Sequence, residues 1–186
     1  MLGLEAGVVK LVPYSVEWQR LFEEEKALLE AAVGDLVLDI QHVGSTAIPG
    51  MVAKPILDIG IAVTDFDEAT ALVAPIEGLG YQYRGEFGIT RRRYFVKDNP
   101  RTHHIHMVEI DSREWKNHLF FRDVLIQRPE LAEEYAVLKT DLARRYAADR
   151  DAYLEGKAPF IERVLAMAKG FGREILTSCV STQSCD

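Results

Sequence analysis

Residues 42–63 read HVGSTAIPGMVAKPILDIGIAV, a turn rich in small residues followed by an apolar strand. The turn contains Gly44 and Ser45, and two prolines and a further glycine punctuate the connection to the strand. From Ile56 to Val63 every residue is apolar or glycine except Asp58, which is typical of a strand buried on both faces. Because burying an unpaired carboxylate is costly, Asp58 requires a metal ion, a cationic side chain or water in a cleft as its partner.

The turn also supplies groups that suit a phosphate-binding site. Gly44 lets a ligand approach the backbone closely, while Ser45 and Thr46 present hydroxyls and backbone amides. Lys54 is suited either to bind a phosphate or to neutralise the strand carboxylate. His42, just before the turn, has two interpretations: a general base or hydrogen-bond donor beside the pocket, or an orienting hydrogen bond at a strand end.

A second stretch, residues 102–110, contains two histidines with alternating spacing. His104 and His106 are separated by one residue, so on a strand both imidazoles point to the same face. If this strand adjoins that of Asp58, the three side chains form a set of two histidines and one carboxylate. Such a set suits a divalent ion such as Zn²⁺ or Mn²⁺ better than Mg²⁺, which prefers oxygen ligands. The alternative interpretation is an ordinary pair of surface or core histidines.

Arginines provide further candidates for binding an anion. Residues 91–93 are the concentrated basic run of an acidic chain, and alternation on a strand places Arg91 and Arg93 on one face. The run is either a guanidinium clamp on a phosphate or carboxylate, or a solvated strand edge. Arg122, next to Asp123, is either a structural ion pair or another anion-binding group.

The order of predicted elements indicates an α/β (α+β) fold. Apolar residues at helical spacing predict an N-terminal helix, and strands in the middle of the chain are joined by short connections, which favours a mixed sheet. The C-terminal third predicts several helices. We expect one domain over residues 1–175 and a disordered tail over residues 176–186, whose composition is polar.

Composition limits the classes of function. The net charge of −7 argues against general nucleic-acid binding, although a local basic pocket is compatible with it. No apolar run approaches the ~20 residues that span a bilayer, and no signal peptide is evident. The two cysteines, Cys179 and Cys185, lie in the polar tail and form no disulfide framework, so we expect a cytoplasmic protein. The sequence leaves the oligomeric state open.

These motifs together resemble the GrpB-like family of the nucleotidyltransferase (polymerase-β-like) superfamily. The resemblance covers roughly residues 8–165. It rests on VPY at 12–14, HVGST at 42–46, PG at 49–50, AKPILDI at 53–59, HIHMV at 104–108 and FRD at 121–123.

The resemblance implies a nucleotidyltransferase-like mixed sheet covered by N- and C-terminal helices. It also implies a cleft that binds a nucleotide or another phosphate-bearing small molecule with a divalent metal (Mg, Mn or Zn), and nucleotidyl or phosphoryl transfer there. The superfamily usually places two carboxylates one residue apart on the strand, whereas this chain has Asp58 followed by Gly60. The alternative is therefore a non-catalytic ligand-binding or accessory module, linked to coenzyme A metabolism because family members also occur joined to dephospho-CoA kinase.

Overall fold

The apolar strand after the Gly-Ser turn lies inside a five-stranded sheet flanked by helices. The computed structural model of the chain describes residues 2–168. In that range the helices and strands, in chain order, are α1 (Glu17–Val33), β1 (Val37–Val43), β2 (Leu57–Val63), α2 (Val73–Gly78), β3 (Tyr81–Tyr83), β4 (Arg93–Lys97), β5 (His103–Glu109), α3 (Arg113–Gln127), α4 (Pro129–Arg145) and α5 (Arg150–Ala166). Short 3₁₀ turns follow α1 and β1 and precede α2.

The sheet is mixed, as the sequence predicted, with strand order β1-β2-β5-β4-β3. Only β2 and β5 run parallel among the described strands, and the other neighbouring pairs are antiparallel. Asp58 lies opposite His104 in the register, and Gly60 lies opposite His106. The two strands that carry the predicted metal ligands are therefore neighbours.

One face of the sheet packs against α1 and forms the main core. The odd-numbered residues of β2 face this side, and Ile59 and Ile61 are fully buried there with Leu29 of α1. Complete burial of such a side chain contributes roughly 1.5–3 kcal/mol each, so this layer fixes the position of β2. The even-numbered residues of β2, including Asp58, must then face the other side of the sheet.

The C-terminal helices cover that second face. Trp115 of α3 packs against Ala62 and Val108, and the Oγ atom of Ser112 caps the helix by accepting a hydrogen bond from the Trp115 amide at 3.1 Å. Helices α3, α4 and α5 form a separate apolar cluster with Ile48 from the connection before β2. The space between this helical layer and the sheet is where the candidate site lies.

None of the helices in residues 2–168 is both long and apolar enough to span a bilayer. The predicted tail over residues 176–186, with both cysteines, lies outside the described residues. The cytoplasmic location that we inferred from those cysteines stays a prediction.

Candidate functional site

A cleft of about 620 Å³ opens between the second face of the sheet and helices α3 to α5. Its floor is formed by side chains of β2 and β5, and one wall is formed by the turn between β1 and β2. The lining includes five of the predicted site residues, namely Gly44, Ser45, Thr46, Lys54 and Asp58, together with both predicted histidines, His104 and His106.

Asp58 lies at the centre of the floor, between the two imidazoles. Its Oδ1 atom is 3.2 Å from Nδ1 of His104 and 3.4 Å from Nε2 of His106. About one third of the Asp58 side chain is exposed, at 32%. Burial opposes ionisation of this carboxyl, but the hydrogen bonds and charges of the two histidines prevail and hold its pKa well below the usual range. Asp58 is therefore a carboxylate at neutral pH.

The protonation of His106 follows from its second neighbour, Arg92. A guanidinium group can only donate, so Arg92 Nη1 donates to His106 Nδ1 across 3.3 Å, and Nε2 carries the proton that points towards Asp58. Burial lowers the pKa of His106 to about 4, although Asp58 opposes that shift, so the ring is neutral at pH 7. Arg92, His106 and Asp58 thus form a chain of hydrogen bonds from the edge of the cleft to its floor.

This chain does not fit the predicted divalent metal site. Coordination by Nε2 of His106 would move its proton to Nδ1, where it would face an N–H group of Arg92. Among residues 2–168, no group of three His, Cys, Asp or Glu side chains is arranged to hold an ion. The structure therefore brings Asp58, His104 and His106 together as a hydrogen-bonded group, in which one nitrogen of each ring donates to the carboxylate.

Gly44 allows the turn to approach the Asp58 carboxylate. The residue has a φ of 70°, and a Cβ atom there would lie 2.6 Å from Asp58 Oδ2, so any other side chain would be both strained and in collision. On the same turn, Ser45 Oγ accepts a hydrogen bond from Lys139 Nζ at 3.0 Å. Thr46 Oγ1 lies 3.0 Å from Nε2 of His42. The turn is thus tied to the carboxylate, to α4 and to β1.

Three lysines, Lys54, Lys139 and Lys157, line the cleft together with Asp58. Burial lowers the pKa of Lys139 and of Lys157 to about 7 each, and their mutual charges and that of Lys54 add to the effect. The pKa of Lys54 is lowered as well, chiefly by burial and against the opposing charge of Asp58. Lys139 donates to Ser45 and to the Val52 carbonyl, whereas Lys157 donates no side-chain hydrogen bond to residues 2–168. These amines repel one another and favour an anion between them.

His42 lies on the opposite face of the sheet from Asp58. It pairs in register with Ile59, stacks on Phe22 of α1 with ring centroids 4.8 Å apart, and is buried. Burial lowers its pKa to about 4, although Asp58 opposes that shift. The orienting hydrogen bond, to Thr46, is the interpretation that fits this placement, and a general base in the cleft does not.

The predicted arginines also lie away from the cleft. Arg91 pairs with Glu109, with Nη2 2.9 Å from Oε1. Arg93 is buried on the α1 side and donates to the Phe66 carbonyl at 2.8 Å. Arg122 donates to the His42 carbonyl at 2.9 Å and pairs with Asp123. These placements correct the expectation that Arg91, Arg93 and Arg122 bind a ligand anion, because each guanidinium is held by protein acceptors outside the cleft.

The superfamily carries a second carboxylate at position 60. In this chain a side chain of α3 occupies the space beside Gly60. A Cβ atom on Gly60 would lie 3.0 Å from Cζ3 of Trp115 and 3.3 Å from Cγ1 of Val43. The indole ring therefore occupies the space that an aspartate side chain would need. The missing acid is a feature of the packing and not only of the sequence.

Four cationic residues that line the cleft were not among the predicted site residues: Arg92, Lys139, Arg150 and Lys157. The sequence placed Arg92 on the opposite face of the strand from Arg91 and Arg93, and it left both interpretations of the run open. The pairing of Tyr94 with His106 shows that the face of Arg92 is the one that lines the cleft. Lys157 had a readable signal, since it lies four residues after Tyr153 and three before Phe160, both buried on α5. A lysine on the apolar stripe of a helix indicates a polar cavity facing that stripe.

Comparison with known proteins places this site in a family. The family model described as GrpB protein matches residues 8–167. The chain belongs to the GrpB family. It is 40% identical over 162 residues to UPF0157 protein YqkA of Bacillus subtilis, an alignment that covers 87% of this chain but 47% of that relative. It is also 28% identical over 181 residues to a dephospho-CoA kinase of Mycolicibacterium paratuberculosis, covering 82% of this chain and 44% of the kinase. The chain thus spans about half the length of each.

Solved structures extend the comparison. The crystal structure of conserved protein GrpB from Enterococcus faecalis superposes with a TM-score of 0.81 at 34% identity, covering 87% of this chain and 99% of that one. The Cid1 poly(U) polymerase, in its Mg 3′-dATP-bound structure, superposes with a TM-score of 0.51 at 13% identity, covering 77% of this chain and 49% of the polymerase. This GrpB chain therefore has the nucleotidyltransferase-like fold that the sequence predicted.

Proposed function

We propose that the cleft of this GrpB protein binds a phosphate-bearing small molecule. The observation that carries the proposal is the charge of the cleft: its lining contains five cationic and two acidic side chains, in a chain whose net charge is −7. The cationic residues are Lys54, Arg92, Lys139, Arg150 and Lys157, and the acidic ones are Asp58 and Glu114.

Ligand phosphate would relieve the repulsion among the lysines. At neutral pH the amines of Lys139 and Lys157 are only partly protonated, because burial and neighbouring lysines oppose their charge. A phosphate between them favours the protonated state, so binding takes up protons and gains charge-assisted hydrogen bonds. The hydroxyl of Ser45, already bound to Lys139, lies on the wall of the same cleft. Asp58 would hold Lys54 and Lys157 charged from the floor.

A nucleotide is the class of phosphate-bearing molecule that we favour. The fold is shared with the Cid1 poly(U) polymerase, which was solved with Mg 3′-dATP and with MgATP bound. In this chain Trp115 fills the space at position 60, and His106 presents an N–H group rather than a lone pair to Asp58. We therefore propose nucleotide binding, without a role for a metal held by Asp58 and the histidines.

Titration calorimetry with inorganic tripolyphosphate and ATP, both in the presence of EDTA, tests this proposal. We expect both to bind the intact chain, and Lys157→Met to weaken them about tenfold, the equivalent of about 1.4 kcal/mol for one charge-assisted contact. Lys116→Met is the matched control, because Lys116 is exposed on α3 and pairs with Asp111 away from the cleft. If neither ligand binds, whether in EDTA or with Mg²⁺ or Mn²⁺ added, the proposal is contradicted. If binding requires Mg²⁺ or Mn²⁺, only the metal-free form of the proposal is contradicted.

A second candidate is a non-catalytic accessory role in coenzyme A metabolism. The likeness to part of a dephospho-CoA kinase supports it, and dephospho-CoA also carries phosphate groups. Competition calorimetry distinguishes the two candidates: dephospho-CoA would displace ATP from the cleft at lower concentration than AMP does. Equal displacement by both would favour a general nucleotide site over a coenzyme A precursor site.

A further inference from the structure

Phe87 is an exposed aromatic side chain beside the cleft. It lies in the loop between β3 and β4, lines the cleft, and is 50% exposed. Its ring stacks on Tyr94 with centroids 4.9 Å apart and an interplanar angle of 16°. Tyr94 in turn lies 5.4 Å from the ring of His104 and 5.3 Å from that of His106. A series of ring contacts, tilted at the histidines and stacked at Phe87, therefore runs from the Asp58 histidines to the surface.

The loop holds Phe87 in place by hydrogen bonds and despite backbone strain. Phe87 has a φ of 47°, an unfavourable value for an aromatic residue, and it lies between Gly85 and Gly88, which also have positive φ. Arg92 donates to the Phe87 carbonyl at 2.8 Å and to the Glu86 carbonyl at 3.2 Å. The same guanidinium lies over the Tyr94 ring at 4.9 Å and reaches His106. One arginine thus connects the loop to the floor of the cleft.

A large apolar ring is costly to leave half exposed to water, because the free energy of burying its surface is lost. The packing instead keeps one ring face on Tyr94. A planar ligand that covered the outer face would complete a parallel stack of the kind by which proteins bind bases without reading their sequence.

We propose that the outer face of Phe87 is the base subsite of the cleft, where the nucleobase of a nucleotide stacks while its phosphates lie among the lysines. This inference rests on the proposed function, since it names the part of the ligand opposite the phosphates. It assigns selectivity for nucleotides over inorganic polyphosphate to one side chain. It also predicts tolerance among bases, because every base has a face to stack.

Calorimetry with ATP and inorganic tripolyphosphate on Phe87 variants tests the inference. We expect the intact chain to bind ATP at least about fivefold more tightly than tripolyphosphate, the equivalent of about 1 kcal/mol of stacking. Phe87→Leu should remove that difference by weakening ATP alone, and Phe87→Tyr, which keeps the ring, should preserve it. Leu28→Ala is the matched control, because Leu28 is exposed to the same degree, at 52%, on α1.

The outcomes separate this inference from the proposed function. Tripolyphosphate binding that is as tight as ATP binding, and unchanged by Phe87→Leu, would overturn the base subsite and leave the phosphate site intact. Weakening of both ligands by Phe87→Leu would show that the ring only supports the loop, and would also overturn the subsite. Binding of neither ligand to the intact chain would overturn both proposals.

Discussion

Both faces of the sheet carry charged side chains, but these are paired with opposite charges on the α1 side and lie among like charges on the cleft side. On the α1 side, Glu25 accepts hydrogen bonds from Lys97 at 2.8 Å and from the Tyr81 hydroxyl at 2.9 Å, and this group is nearly enclosed. On the cleft side, Lys157 has no such acceptor among residues 2–168, and Lys54 lies close enough to lower its pKa. Charge is balanced on one face and in excess on the other.

This difference separates structural charges from ligand-binding ones. A buried ion pair with satisfied hydrogen bonds holds elements together, and its loss leaves an uncompensated charge. Like charges gathered in a cleft lower stability and require a reason to persist, which a bound anion supplies. All three arginines of the run have protein partners, and Arg92 differs from Arg91 and Arg93 in lining the cleft.

The largest effect should come from forcing a second carboxylate onto the cleft face. Gly60→Asp places its Cβ atom 3.0 Å from Trp115 and buries a charge beneath it, so we expect a loss of about 4 kcal/mol or more in the free energy of unfolding. Urea denaturation measures it. Gly78→Asp is the control, because nothing lies within 4 Å of a Cβ there, and it should cost less than about 1 kcal/mol. Equal losses would contradict the packing account of Gly60.

Lys97→Met tests the balanced face. It removes the cation from a pair whose side chains are 17% and 8% exposed, leaving Glu25 with the Tyr81 hydroxyl alone. We expect about 3 kcal/mol of destabilisation by urea denaturation, with tripolyphosphate affinity unchanged because the cleft lies on the other face. Lys26→Met is the matched control, since Lys26 pairs with exposed Glu30 on the surface of α1. A loss of tripolyphosphate affinity in Lys97→Met would contradict the separation of the two faces.

The sequence predicted most of the fold and some of the residues that line the cleft, for identifiable reasons. Alternation along β2 and β5 sufficed to place Asp58, His104 and His106 on one face, because side-chain direction within a strand is local. Which arginine faces the cleft depends on how β4 pairs with β5, and this register is set by residues distant in sequence.

The part that α3 to α5 contribute was harder to predict. Lys139 of α4 and Arg150 and Lys157 of α5 reach the cleft because these helices pack over the sheet, far along the chain from β2. The position of Trp115 above Gly60 could not be predicted from helical spacing, which shows which residues share a face of the helix but not what that face packs against. Sequence patterns thus identified the cleft residues on the strands better than those on helices α3 to α5.

Lys157→Met tests the face with excess charge, and its effect on stability should have the opposite sign to that of Lys97→Met. The amine has a lowered pKa in the folded chain, so keeping it protonated costs stability at and below neutral pH. Replacement by an apolar side chain of similar length should therefore stabilise the chain by about 1 kcal/mol in urea denaturation without ligand. Destabilisation of the size expected for Lys97→Met would mean that Lys157 is a structural residue.

The pH dependence of stability and affinity gives the smallest and most specific effect. Lys139 and Lys157 have a pKa of about 7 in the folded chain, against the ordinary lysine value of 10.5. Between these values the unfolded chain binds more protons than the folded one, so the contribution of these lysines to the free energy of unfolding rises with pH. Affinity for tripolyphosphate should fall over the same interval, because the amines lose the charge that attracts it.

Thermal melting and calorimetry across that interval measure the two trends on one preparation. The lysine contribution is the difference between the intact chain and Lys157→Met, which removes pH effects shared by both proteins. As pH rises, we expect the melting temperature of the intact chain to increase relative to that of Lys157→Met. Over the same interval, the difference in tripolyphosphate affinity between the two proteins should become smaller. Parallel curves for the two proteins would mean that Lys157 titrates as an ordinary exposed lysine, and the cleft would then lack the mutual repulsion that distinguishes it from the α1 face.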